Sequence, residues 1–422
     1  MGVFSDSNEQ PEPMAPASGI RIIPRITVQA FCENSQTAQM IESALTDRRM
    51  SKVALTTQNG SIQGAVETYR SNPTPNLIIV ETMLPPDQIP QALDEMAEFC
   101  DPGTQVIVLG HVNDVVLYRQ LIRSGVAEYL VLPIEVGELI SAISDLFVAE
   151  GTPPIGRTIG FMPAKGGVGS STIAHNSAWT AAQLLRQEVL IMDMDLAFGT
   201  AGLDFNQDPP NGVADAVEAQ ENLDEVMLDR LISKAASNVN LLAAPGTLDQ
   251  VYDLPENGYE RTIELVQSTI PLVVLDIPHI WSSWVRRTLS SLDEVVIVAE
   301  PDLASLRNAK SLADTVRAMR PNDNAPLLVL NKVGVPKRPE ISAAEFASAI
   351  DCEMVEQIAF DAALFGTASN NGQMISEVSS ASKINDAFRN ISARMTGRDL
   401  GQGAARPSPL DLSGLFKKLK KA

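Results

Sequence analysis

The sequence predicts an α/β protein built as two doubly wound parallel sheets. Short apolar runs rich in Val, Ile and Leu recur along the chain, and amphipathic stretches separate them, so each strand leads into a crossover helix. The runs of the second half are apolar at nearly every position, as strands covered on both sheet faces must be. The 422 residues exceed one comfortable core, and a Gly/Pro stretch, EGTPPIGR at 150–157, separates two such series.

Residues 1–22 begin with a Pro-, Ser-, Glu- and Ala-rich stretch and read as a flexible tail. The first domain is expected over 23–150. Its strands are ITVQAFCE (26–33), SKVALTT, NLIIVE (76–81), QVIVLG (105–110) and YLVLPI (129–134). Its helices are 35–47 with Ser35 as cap, GSIQGAVETYR, PPDQIPQALDEMAEF, VVLYRQLIRSG and VGELISAISDLFV. Residues 151–157 read as a linker, and the second domain as 158–397. Strands are expected there at 158–162, 189–195, 238–245, 271–278, 294–300 and 326–332, with a seventh at 353–359. Helices fill the gaps, for example at 172–186, 213–219, 302–318 and 380–395. From 398 the chain reads as a flexible tail ending in PLDLSGLFKKLKKA, where Leu412, Leu415, Phe416 and Leu419 share one side among four lysines.

The formal net charge of −20 opposes contact with nucleic acid and with anionic lipid, except through a local basic patch such as that tail. Cys32, Cys100 and Cys352 form no C-x-x-C pair, which argues against a zinc site or a disulfide framework and suits a reducing cytoplasm. The N-terminus lacks the basic and apolar regions of a signal peptide, and no 18-residue apolar run is present.

The sharpest chemical signal is GFMPAKGGVGSSTIAHNSAW. A strand runs into the turn Lys165-Gly166-Gly167-Val168-Gly169 and then into a helix opening at Ser170-Ser171-Thr172. Glycines allow successive backbone N–H groups to converge on phosphate oxygens, and the helix N-terminus adds its dipole. The Ser171 hydroxyl is placed to meet a magnesium ion. The usual phosphate loop, G-x-x-x-x-G-K-[ST], has lysine where this chain has Ser170. His175, further along the helix, reads as a packing or surface residue.

With Lys165 at its start, the loop resembles that of the deviant Walker A ATPases of partitioning and division-site selection, the ParA/MinD type. The resemblance covers roughly 157–395. It implies that Lys165 reaches the phosphates of a partner subunit in an ATP-sandwiched dimer. It implies that Asp193 and Asp195 of LIMDMD assist magnesium and position the attacking water. Asp276 matches the Walker B aspartate, and Asn331 the residue that meets the adenine. ATP and Mg2+ are the implied cofactors. Serine at 170 supplies no charge to a transition state, so hydrolysis is expected to be slower by roughly 10²–10³-fold, or dependent on a partner.

The five βα units of the first domain resemble a receiver domain. The phosphoacceptor position holds Glu81, the acidic pair is reduced to Cys32-Glu33, the Ser/Thr position is Gly110, and the lysine position is Leu132, before Pro133. A nucleophile of changed reach without a lysine is not expected to take a phosphoryl group. The domain is expected to dock or dimerise instead.

A degenerate receiver-like domain fused to a ParA/MinD-like domain resembles the CpaE/TadZ family of Flp/Tad pilus assembly proteins. The resemblance implies an ATP-switched homodimer acting as a localisation and assembly factor with pilus and secretion proteins at the inner membrane. It also implies a cytoplasmic location with recruitment to the membrane face or the cell pole. The residues of the basic tail leave three readings open: weak, reversible contact with the membrane, contact with a protein groove, or a plain solvated tail. A scaffold without nucleotide binding and a partitioning ATPase are the alternatives.

Overall fold

The computed structural model describes residues 23–147, 155–220 and 222–397. The tails and most of the linker read from the sequence lie outside these residues, as does the basic C-terminal segment.

The first sheet contains β1 (Ile26–Cys32), β2 (Val53–Asn59), β3 (Leu77–Thr82), β4 (Gln105–Gly110) and β5 (Glu128–Val131). All its pairs are parallel, in the order β2-β1-β3-β4-β5. Its helices are α1 (Ser35–Ala44), α2 (Ile62–Tyr69), α3 (Ile89–Ala97), α4 (Val115–Arg123) and α5 (Val136–Phe147). This is the doubly wound order of a receiver-like domain. The cap of α1 is Asn34, not Ser35: its side chain accepts the N–H of Gln36. The helix also ends sooner than the sequence suggests, before a short 3-10 turn at Arg48–Met50.

The second sheet contains β6 (Arg157–Pro163), β7 (Val189–Asp193), β8 (Ser233–Ala236), β9 (Val239–Leu242), β10 (Leu272–Asp276), β11 (Glu294–Ala299), β12 (Leu327–Val333) and β13 (Met354–Ala359). Their order is β13-β12-β11-β6-β10-β7-β9-β8. Every pair is parallel except β8 with β9, an antiparallel edge hairpin.

The helices that follow β6 are α6 (Ser170–Leu185), α7 (Ala201–Asp204), α8 (Val213–Glu218), α9 (Glu225–Leu231), α10 (Glu260–Thr269), α11 (Ser283–Ser291), α12 (Leu303–Met319), α13 (Ala343–Ile350), α14 (Ala362–Asn371), α15 (Ile375–Val378) and α16 (Ile384–Thr396). Two apolar clusters cover the opposite faces of this sheet, one around Leu275, Ile297 and Leu330 and one around Phe161, Ile191 and Val329. Each fully buried Val, Leu, Ile or Phe stabilises the fold by about 1.5–3 kcal/mol relative to exposure. Central β6 can therefore hold the loop at its end on a rigid base.

The two sheets are joined by a polar contact. The Arg48 guanidinium pairs with Asp323 at 2.9 Å and Asp293 at 3.1 Å, and donates to the Ser291 carbonyl. Arg49 pairs with Asp47 at 2.7 Å and with Asp323 at 3.4 Å. Asn322 donates to Asp47, and Arg320 pairs with Asp323 at 2.9 Å.

Candidate functional site

The loop after β6 lies at the carboxyl edge of the sheet, where strands β10 and β11 flank β6 and the connections diverge to opposite sides. In an open α/β sheet this crevice is where ligands bind. Gly167 and Gly169 have φ of +80° and +85°, the left-handed region that favours glycine. Gly169 lets α6 begin at once at Ser170, where the loop motif places the opening of the helix. A Cβ on Gly169 would lie 2.6 Å from Asn331 Nδ2.

The loop is braced from several sides. Asn331 donates to the Val168 carbonyl at 2.8 Å, and Asn308 donates to the Ala164 carbonyl at 2.9 Å. Lys332 donates to the Gly167 carbonyl and pairs with Glu300 at 3.0 Å. Asn331, read from the sequence as the adenine contact, thus has an amide N–H committed to the loop.

Lys165 is partly exposed. Its ammonium pairs closely with Asp302 and lies 3.4 Å from Glu300. The Asp302 hydrogen bond, with Glu300 adding its charge, holds the ammonium above its ordinary pKa despite some burial. Asp302 also accepts the Ser305 N–H, so one carboxylate caps α12 and holds the loop lysine.

Asp193 and Asp276 end adjacent strands in register. Both are buried. Asp193 accepts the Asp195 N–H at 3.1 Å on one oxygen and the Ala201 N–H at 3.0 Å on the other. These bonds draw the chain off the sheet, which is why β7 stops at Asp193 rather than at 195. Burial, and next the Asp276 charge, push the Asp193 carboxyl up to about 7. A Cβ on Gly199 would sit 2.4 Å from Asp193 Oδ2, so glycine is required for the turn to close there. Asp195, half-buried, accepts the Phe198 N–H at 3.0 Å.

His175 is the residue that sequence reasoning missed. It is fully buried, with Nδ1 2.8 Å from Asp204 Oδ2 and Nε2 3.4 Å from Asp276 Oδ2. Burial alone would lower its pKa. The Asp204 hydrogen bond and the Asp276 carboxylate overcome this and hold the imidazole at about 10. The spacing of Ile173, Ala174, Ala178 and Ala181 marks the buried side of α6, and His175 lies beside it; nothing in the sequence shows that Asp204 and Asp276 face it.

The residues present fit a nucleotide with magnesium. Ser170 Oγ is buried without a hydrogen-bond partner at the loop's end, a polar atom with unused hydrogen-bonding capacity. Among the described residues no group of three or more His, Cys, Asp or Glu could hold a metal by itself. Magnesium keeps its waters and takes few protein ligands beside substrate phosphates, so this donor set suits it. Ser171 and Asp276 would hold it, and Asp193 only in exchange for its backbone bonds. Bound there, the ion would supply charge neutralisation to the phosphates.

Glu81, at the end of β3, is fully buried and accepts from the Asn34 N–H at 2.9 Å and the Thr37 hydroxyl at 2.8 Å, with His111 Nε2 at 3.3 Å. A Cβ on Gly110 would strike the Tyr129 hydroxyl at 2.1 Å, so the tyrosine fills the space beside β4. Burial, with the Glu81 charge next, pushes the Cys32 thiol up to about 12.

A family model described as an AAA domain matches residues 156–329. The septum site-determining protein MinD of Bacillus subtilis (strain 168) is 23% identical over 58% of this chain and 91% of its own length. A solved structure of MinD from Pyrococcus horikoshii OT3, complexed with Mg-ADP, is 20% identical over 56% of this chain and 95% of that chain, with a TM-score of 0.50. That likeness shows a MinD-type P-loop fold. The pilus assembly protein CpaE from Caulobacter crescentus is 44% identical over 31% of this chain and 98% of that chain, with a TM-score of 0.30. By the extent of that sequence identity, the chain belongs to the CpaE family.

Proposed function

We propose that this protein is an ATP-binding localisation and assembly factor of a pilus system. It closes as a homodimer on nucleotide and hydrolyses ATP slowly or with a partner's help. The observation that carries the reading is the loop itself: left-handed glycines, an unpartnered buried Ser170 hydroxyl and a charged lysine at its mouth, beside Asp193 and Asp276. The Caulobacter crescentus relative is a pilus assembly protein, and the Pyrococcus horikoshii structure is a complex with Mg-ADP.

Apolar side chains at the same edge support a second copy as the covering surface. Phe198, Leu203 and Leu303 are each more than 70% exposed, and Trp281 is 55% exposed. All follow the carboxyl ends of strands near the loop. In this reading the receiver-like domain, divided from the ATPase domain at 151–157, serves docking rather than phosphorylation. Among the described residues no helix is long and apolar enough to cross a membrane, so recruitment to an inner-membrane face or a pole would run through partners or the basic tail.

A scaffold reading rests on one observation: Lys165 is already neutralised by Asp302 and Glu300. Calorimetry with Mg2+ and ATP, beside Lys165→Ala and with phosphate release on the same samples, separates the two. We expect binding that weakens about 10–100-fold in the variant, the worth of a charge-assisted contact. Turnover should stay low in both. Absence of binding at millimolar ATP would put the scaffold reading first.

A further inference from the structure

We propose that His175 is a positioning residue: anchored by Asp204, it fixes the Asp276 carboxylate against which a nucleotide-bound magnesium ion would be held. This rests on the nucleotide reading above and adds a residue that neither the loop motif nor the acidic strand ends contain.

Three observations carry it. First, the imidazole lies between two carboxylates, with Nδ1 bonded to Asp204 Oδ2 at 2.8 Å and Nε2 at 3.4 Å from Asp276 Oδ2. Second, Nε2 is buried without a hydrogen bond in this geometry, so a polar atom is aimed at Asp276 with no other occupation. A buried donor left unpaired is costly, and a small rotation of Asp276 would pair it. Third, the ring is held in place. Phe205 packs against it at 5.9 Å between ring centroids. The next residue, Asn176, donates to the Thr172 carbonyl and accepts the Ile375 N–H. Outer partners of this kind set the orientation of a metal-holding carboxylate.

The chain also needs such a device. Ser170 brings no positive charge to the site, and Asp193 is turned onto backbone amides. Asp276 is thus left as the carboxylate free to face a metal, and His175 is the group that determines where it points.

The test uses two near-isosteres. His175→Asn keeps a donor at the Nδ1 position toward Asp204 and deletes the group facing Asp276. His175→Gln keeps a donor at the Nε2 position. A fluorescent ADP analogue is titrated with Mg2+ on the full chain, with the thermal midpoint as the check on folding. We expect His175→Asn to need about 10–100-fold more Mg2+ for half-maximal binding, and His175→Gln to stay near wild type. Equal responses of the two variants, or no change in either, would overturn the proposal. Should His175→Asn fail to fold, Asp204→Asn loosens the same imidazole from its partly exposed end. It is expected to shift the Mg2+ midpoint in the same direction, and no shift counts against the idea.

If the wild-type chain binds no ADP at any Mg2+ concentration, the nucleotide reading falls by itself. Nucleotide-free crystal structures of the two variants then decide on His175. An Asp276 carboxylate turned away in His175→Asn and retained in His175→Gln supports the role; an unmoved carboxylate in both sinks it.

Discussion

Lys165 is held by the residue that also begins a helix. Asp302 must serve the Ser305 N–H of α12 and the lysine ammonium together, so a phosphate approaching the loop competes with a carboxylate for the same cation. Asparagine is nearly as good an N-cap as aspartate, and it carries no charge. Asp302→Asn is therefore expected to leave stability almost unchanged and to tighten ATP binding several-fold, read by calorimetry. Tightening would identify Asp302 as a competitor for Lys165; weakening would mean that the carboxylate holds the lysine in its binding position. The side-chain identities of the loop were legible in the sequence because the motif is local. The braces on it were not. Asn308 and Lys332 reach it across tertiary contacts that no spacing in the chain records.

At the scale of the element, the loop and α6 behave as one piece. The turn exists because Gly169 occupies a left-handed conformation directly against Asn331. Gly169→Ala meets both obstacles, an unfavourable φ and a 2.6 Å approach to Asn331 Nδ2. It is expected to cost about 1 kcal/mol or more in chemical denaturation and to abolish nucleotide binding. Loss of binding with unchanged stability would show that the turn relaxes around the added methyl group.

The strands that position this loop were read correctly in kind because they are fully covered and hence apolar throughout. The edge strand β8, Ser-Lys-Ala-Ala, was missed for the converse reason. It is half-exposed, four residues long and without an apolar run, and only its antiparallel pairing with β9 defines it. Helix ends were the other departure: Asn34 rather than Ser35 caps α1, because the asparagine side chain reaches the Gln36 N–H.

At the scale of the whole molecule, the receiver-like sheet and the P-loop sheet meet through Arg48, Arg49 and Arg320 set against Asp47, Asp293 and Asp323. Most of these side chains are buried or nearly so. Breaking a buried pair from one side leaves an uncompensated charge and costs about 3 kcal/mol or more. Arg48→Ala should therefore lower stability by about that amount and separate the unfolding of the two sheets in calorimetry. A single transition at the wild-type temperature would show the contact to be dispensable. Lys52 and Glu264 form a further pair across the same contact, but both are exposed and add little.

Acid acts on the same contact in one direction. Burial alone would raise the Asp323 carboxyl; the charges of Arg48, Arg320 and Arg49 overcome it and hold the group below its ordinary 3.8. Asp47 is likewise lowered, burial being overcome by its bonds to Arg49 and Asn322. Groups whose folded values are lowered contribute fully above the unfolded value and lose that contribution as pH falls through the folded one. The contact is thus expected to be intact at neutral pH and to weaken only below about pH 4, followed by denaturation at stepped pH. Weakening already near pH 6 would point to another group.

The seam has an unusual setting, because its own charges balance while both bodies it joins are acidic in a chain of net charge −20. The like charges on the two bodies are spread over exposed surface, at separations that dissolved ions screen over about 10 Å at 0.1 M. The opposed charges in the seam lie about 3 Å apart and largely out of solvent, where ions screen them far less. Moderate salt should therefore tighten the seam rather than dissolve it.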